Sequence, residues 1–158
     1  MHVILAGASG LIGSALAEAL GTQANRVTRL VRRAPRTADE VQWEPGRVSL
    51  DPRALEGADA VVALGGASIG KLPWSEAYRK QILDSRVIAT RTIADALEAL
   101  GEGAPAFLSA SAVGYYGSAP GRVLDESSPA GDTFLARVCV EWEREALRAE
   151  HVSRVALL

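Results

Sequence analysis

The chain opens on a short apolar run, His2-Val3-Ile4-Leu5-Ala6. Gly7-Ala8-Ser9-Gly10-Leu11-Ile12-Gly13 follows at once, and then Ser14-Ala15-Leu16-Ala17-Glu18-Ala19-Leu20. Few arrangements limit a fold so tightly. The apolar run reads as a buried strand, the glycines as a turn, and the alanine- and leucine-rich stretch as a helix. Together they predict the first strand, turn and helix of a βαβ unit that binds a dinucleotide. Each glycine has its own task in such a unit. Gly7 permits the tight turn, Gly10 lets backbone approach a pyrophosphate, and Gly13 lets helix and strand pack closely. The free N–H groups at the helix start, near Leu11 and Ile12, would face the phosphates with the positive end of the helix dipole behind them.

Apolar strand candidates alternate with helical patterns along the rest of the chain, which predicts a doubly wound parallel sheet, the Rossmann α/β fold. Strands are expected at Arg26 to Val31, around Val41-Gln42-Trp43, at Asp59 to Leu64 and at Ala106 to Ala110. Leu50 to Leu55 reads as a brief helix. Ser75 to Leu100 reads as a long one, with Tyr78, Ile82, Ala89, Ile93 and Leu97 on one face. A second long helix is expected from Asp132 to Glu150, with Asp132 as its cap and Leu135, Val138, Trp142 and Ala146 on its apolar face. The glycine- and proline-rich stretch from Gly114 to Gly131 is a loop beyond a strand end, where ligands bind in such sheets. Val152 to Leu158 turns apolar and β-like. The chain therefore reads as one domain, residues 1–158, that reaches about the sixth strand and stops. The expectation is a fragment or truncation without a C-terminal substrate domain.

The 158 residues are enough to bury a core. A formal net charge of −2 gives no electrostatic reason to propose nucleic acid or an anionic membrane as partner. One cysteine, Cys139, excludes an internal disulfide and fits a reducing cytoplasm. No apolar run is long enough to span a membrane. With only two histidines, His2 and His151, no histidine metal site is expected. The expected partner is a small-molecule substrate, with a homodimer left open.

The residue type behind the second strand separates the two nicotinamide cofactors. An acid there holds the ribose hydroxyls of NAD, whereas arginine suits the extra phosphate of NADP. Here Val31-Arg32-Arg33 ends the strand, Arg36 follows, and no acid stands between Arg26 and Ala38. The expected cofactor is NADP(H) in preference to NAD(H), held by Arg32 first and Arg33 second, with the Ser9 hydroxyl as a further contact. The turn Leu64-Gly65-Gly66-Ala67 would bring bare backbone to the adenine and ribose.

The spacing Gly7-x-x-Gly10-x-x-Gly13, wider than the general fingerprint, resembles the extended branch of the short-chain dehydrogenase/reductase superfamily. That resemblance implies a serine at the end of the fifth strand, a Tyr-x-x-x-Lys on the following helix and often an asparagine on the preceding one. In this chemistry the phenol is the general acid/base, the lysine lowers its pKa and holds the nicotinamide ribose, and the serine orients the substrate oxygen. Ser111 matches the serine, with Ser109 as second choice. The Tyr-x-x-x-Lys is missing. Tyr78, Tyr115 and Tyr116 are followed four residues on by Ile82, Ala119 and Pro120, and both lysines, Lys71 and Lys80, precede the fifth strand. Depending on register, Thr133 and Arg137 or Leu135 and Cys139 take the two positions. Arg137 could hold the ribose as a cation but cannot relay a proton. The asparagine position is taken by Arg86.

These departures taken together are similar to the YfcH-like family of atypical extended short-chain dehydrogenase/reductases, described as NAD-dependent epimerase/dehydratase family proteins. The residues that carry the resemblance are Gly65-Gly66-Ala67-Ser68-Ile69, Trp74, Ser85-Arg86, Ser109 through Gly117, and Phe134 through Cys139 with Trp142-Glu143. It implies a cofactor more firmly than a reaction, family members about twice this length, and for some relatives a link to cell division. Two functions follow from different classes. One is NADP-dependent redox or epimerase chemistry on a small or nucleotide-linked polar substrate. Its working residues would be Ser111, Arg86, Tyr115 and Tyr116, with Asp125 or Glu126 as other proton carriers. The other is a non-catalytic NADP(H)-binding sensor. Arg86 discriminates: turned toward Ser111 it implies an anionic substrate group, and paired with Asp84 or another acid it implies an inert site.

Overall fold

Four of the five residues of β1 (His2–Ala6) are buried, as a parallel strand covered on both faces requires. Alternation divides them between two layers. Val3 and Leu5 join Val27, Val62 and Ala17 beneath α1 (Leu11–Thr22), while Ile4 and Ala6 join Val61, Phe107, Ile93 and Leu97 in the larger core on the opposite face. The computed structural model describes residues 1–158. Beyond β1 its strands are β2 (Arg26–Val31), β3 (Glu40–Gln42), β4 (Ala60–Ala63), β5 (Ala106–Ser109) and β6 (Val155–Leu157). All pairings are parallel, in the order β3-β2-β1-β4-β5-β6. The chain winds outward from β1 through β2 to β3, returns to β4, and winds the other way to β6. The reversal opens a crevice at the carboxyl ends of β1 and β4, the place where such sheets bind ligands.

The large core is closed by α2 (Glu76–Leu100) and α3 (Phe134–Leu147). Ser75 caps α2, its hydroxyl accepting from the Tyr78 N–H at 3.2 Å. Thr133, rather than the expected Asp132, caps α3 by accepting from the Ala136 N–H at 3.1 Å. The helix begins one residue later than its apolar pattern suggests, so Asp132 falls outside the capping position. It also ends earlier, at Leu147, and the chain tightens into a 3₁₀ turn over Arg148–His151. Similar one-residue shifts move β3 back from Val41–Trp43 and end β5 at Ser109.

Two long-range contacts set the rotation of α3 against α2. The buried Trp142 Nε1 donates to Thr90 Oγ1 at 2.8 Å. Glu145, with its side chain only 6% exposed, accepts from Arg91 at 2.7 and 3.0 Å and from Arg148 at 3.2 Å. A buried carboxylate is tolerable because these guanidiniums satisfy it. They hold its carboxyl below the usual glutamate range, Arg91 contributing most. No helix is long and apolar enough to cross a membrane.

Candidate cofactor-binding site

Gly7 takes a φ of +89°, where a side chain would be strained. The Gly10 N–H closes the turn on the Gly7 carbonyl at 3.0 Å, and the Ser14 N–H donates to Gly10 O at 2.9 Å to start α1. Packing forbids a side chain at two of these glycines. A Cβ at Gly13 would lie 2.2 Å from the Gly7 oxygen, and one at Gly7 would lie 2.9 Å from Leu64 C and Gly65 N. The turn is thus pressed against the end of β4. Gly10 occupies the N-cap of α1 and offers no side chain to it. The amides of Leu11 and Ile12 consequently have no acceptor in the chain, while their side chains, 90% and 68% exposed, stand at the rim. Oriented amides at the positive end of a helix, bordered by bare backbone, suit a phosphate group.

The glycines after β4 differ in their reasons. A Cβ at Gly66 would meet the Arg86 guanidinium carbon at 2.8 Å and would have to push that group aside. A Cβ at Gly65 would meet nothing within 4 Å and would simply fill space beside the crevice. The chain has no internal need for a glycine there, which fits a ligand lying close to the backbone.

Behind β2 the two expected arginines part company. Arg32 is exposed and forms no hydrogen bond or ion pair within the chain. Arg33 grips Glu40 with both terminal nitrogens, at 2.6 and 2.7 Å. Glu40 also accepts from the Arg36 N–H at 2.7 Å. The Arg33 hydrogen bonds, helped by that backbone amide, pull its carboxyl down to about 2. Of the two expected phosphate ligands, Arg33 thus has a carboxylate partner within the chain and Arg32 has none. The parallel register that sets Glu40 against Arg29 delivers this acid beside the strand end. Ser9 is exposed on the turn and free of side-chain bonds.

At the end of β5 the two candidate serines differ. The Ser111 hydroxyl donates to the Glu143 carboxylate. Ser109 is fully buried and donates to Ala110 O at 3.3 Å, so the second-choice serine is removed from any ligand. Of the two candidate pairs on α3, Leu135 and Cys139 face the loop after β5. The Leu135 Cβ stands 3.5 Å from where a Gly114 Cβ would be, and the Cys139 thiol lies 3.7 Å from Ala112 O. Arg137, half a turn around the helix, is exposed and donates to Asp132 O at 2.7 Å; it lines a groove of about 380 Å³ with Leu83, Phe134 and Glu141. The expected ribose-holding cation, Arg137, is thus exposed and bonded to the backbone just before α3. Sequence reasoning passed over Glu143 as a working residue. Its signal was present, since it continues the Leu135–Cys139 stripe by another four residues.

Tyr115 and Tyr116 lie on a 3₁₀ turn, Val113–Tyr116, and pack edge to face with centroids 5.3 Å apart. Desolvation, followed by the charges of Glu126 and Asp125, pushes the Tyr116 phenol up. Asp125 is occupied by Ser127 and Ser128, whose hydrogen bonds hold it below the usual aspartate range.

Arg86 has no carboxylate partner; Asp84 pairs with Lys80 instead. One terminal nitrogen of Arg86 donates to Ile82 O at 3.0 Å and Ala67 O at 3.2 Å, and its guanidinium lies 5.3 Å from the Trp142 ring centroid. Beside it, the Ala67 N–H donates to Ser85 Oγ at 2.9 Å. Ser85 and Arg86 together therefore pin the loop after β4 to α2. Burial lowers the pKa of Arg86, the cost of holding the charge with no counterion close by.

The sequence profile of the NAD dependent epimerase/dehydratase family matches residues 3–158. An epimerase family protein of Mycobacterium bovis is 45% identical over 141 residues, spanning 89% of this chain and 46% of that protein. The crystal structure of a nucleoside-diphosphate sugar epimerase from Corynebacterium glutamicum superposes with a TM-score of 0.83 at 33% identity, covering 100% of this chain and 33% of that one. The human epimerase family protein SDR39U1, solved with NADPH, superposes with a TM-score of 0.85 at 28% identity, covering 99% of this chain and 52% of that one. This chain spans about half the length of the curated relatives it matches.

Proposed function

The chain belongs to the NAD dependent epimerase/dehydratase family, and from that premise we propose that it is an NADP(H)-binding domain serving redox or epimerase chemistry on a small or nucleotide-linked polar substrate. One observation carries the cofactor reading. The uncapped amides of Leu11 and Ile12 open on the β1–β4 crevice, and the unpaired Arg32 stands on the β2 side of the same edge. The amides would take the pyrophosphate, Arg32 the 2′-phosphate, and Gly65 the close approach of the ligand. Adenosine then lies toward β2, and the nicotinamide half toward β4 and β5.

When bound, the dinucleotide supplies a hydride acceptor or donor. The residues at the β5 end supply orientation. Ser111 is placed to hold a substrate oxygen, and Glu143 fixes the direction of its hydroxyl. Tyr115 and Tyr116 line the exit of the same strand and act as walls or as proton donors.

A second reading has its own support. With Leu135 and Cys139 on the working face of α3, no phenol–ammonium pair is available to move a proton. This favours a protein that binds NADP(H) and reports on it to a partner. Cofactor binding is common to both readings and is tested first. Thermal unfolding with NADPH and NADH should show a rise with NADPH, since a ligand that binds only the folded chain stabilises it by about 2.7 kcal/mol at a hundredfold excess over Kd. A rise with NADPH that Arg32→Ala roughly halves supports the assignment; equal rises with both cofactors, or none, overturn it.

A further inference from the structure

The short-chain pattern places a cation four residues after its tyrosine, and here that position is Cys139, an uncharged thiol with 4% exposure. The charge has not left the region. Arg86 approaches this stretch of α3 from α2, at a position where the pattern has an uncharged asparagine. Its guanidinium stands between the loop after β4, at Gly66 and Ala67, and α3, at Trp142. It is also near enough to Cys139 that its charge favours the thiolate, while burial and the charge of Glu143 push the thiol the other way.

Arg86 is also only partly used. Its hydrogen bonds to Ala67 and Ile82 come from a single terminal nitrogen, which leaves Nε and the second terminal nitrogen without partners in the chain. No buried side-chain nitrogen or oxygen in the molecule lacks a partner. The two free nitrogens of this half-buried residue therefore reach accessible space. A guanidinium with a fixed plane and two open donors suits a pair of ribose hydroxyls or an anionic oxygen.

We propose that Arg86 is the cation that holds the nicotinamide-ribose end of the dinucleotide, transferred from α3 to α2 relative to the short-chain pattern. The inference rests on the cofactor reading above, which puts the nicotinamide half over the carboxyl ends of β4 and β5. Arg137, half a turn away on α3, has no part in it. Glu143, hydrogen-bonded to Ser111 and without a cationic partner, is the opposing charge acting on Cys139.

The test compares two probes. NADPH carries the nicotinamide riboside, and 2′,5′-ADP carries only the adenosine bisphosphate portion that Arg32 would read. Dissociation constants are measured by calorimetry on the wild type, Arg86→Gln and Arg86→Lys, with circular dichroism and thermal unfolding in the absence of ligand as the check on folding. Arg86→Gln should weaken NADPH about tenfold, as expected for lost charge-assisted hydrogen bonds, and leave 2′,5′-ADP within about twofold of the wild type. Arg86→Lys, which keeps the charge and loses the fork, should give a smaller loss confined to NADPH. If Arg86→Gln does not fold, the Arg86→Lys comparison decides. Equal losses for both probes, or no loss for NADPH, overturn the inference. A wild type that binds neither probe overturns the cofactor reading and this inference with it, whereas uptake of both by all variants alike overturns this inference alone.

Discussion

The crevice has two differently built sides. On the β1–α1–β2 side, recognition is made of backbone: a positive-φ glycine, a glycine N-cap with open amides, and one exposed arginine. On the β5–α3 side it is made of side chains, and there this chain departs from the short-chain pattern. Leu135 and Cys139 face the loop after β5, Arg86 reaches the neighbouring loop after β4 from α2, and Glu143 takes the Ser111 hydroxyl. The contrast is instructive. A backbone cradle leaves little freedom, because a Cβ 2.2 Å from a carbonyl oxygen cannot be absorbed by a rotamer. A side-chain site can exchange its groups, and even the helix that supplies a charge, while the fold stays the same.

Gly13→Val tests the rigid side most severely. The clash with Gly7 O should cost about 3 kcal/mol or more and remove the NADPH-dependent rise in thermal stability. Denaturant unfolding of the variant measures the first effect, and a midpoint near the wild-type value would contradict it. On the other side, Glu145→Gln strikes the bond that orients α3 and should cost about 1–2 kcal/mol. Its pH dependence has a defined sign. The Glu145 carboxyl is held below its unfolded value, so its contribution is present above the unfolded pKa and is lost as pH falls through the folded one. Unfolding curves from pH 7 down to pH 3 should therefore converge for Glu145→Gln and wild type; a gap that widens with acid would refute the assignment.

Arg32→Ala is smaller in stability terms but sharper in ligand terms. It should weaken NADPH about tenfold, leave NADH unchanged, and leave the unliganded midpoint within about 0.5 kcal/mol. Arg33→Ala gives the smallest effect on binding, about twofold or less, because Glu40 already neutralises that guanidinium. A larger loss from Arg33 than from Arg32 would reverse their assigned roles.

The glycine turn, the parallel alternation of strands and helices, and the absence of a Tyr-x-x-x-Lys were all legible along the chain. They depend on local spacing and residue type, and a turn of seven residues contains nearly all the atoms that constrain it. Glu40 was hidden because it meets Arg33 only once β3 lies beside β2. The choice between Thr133–Arg137 and Leu135–Cys139 was equally hidden, since both pairs have the same four-residue spacing. That choice is made by Trp142 bonding to Thr90 and Glu145 to Arg91, contacts that join α3 to residues 52 and 54 positions earlier. Local chemistry dictates which backbone turns and periodic elements form. The rotation of a helix about its own axis is dictated by what packs against it, and with that rotation goes the set of side chains facing the crevice.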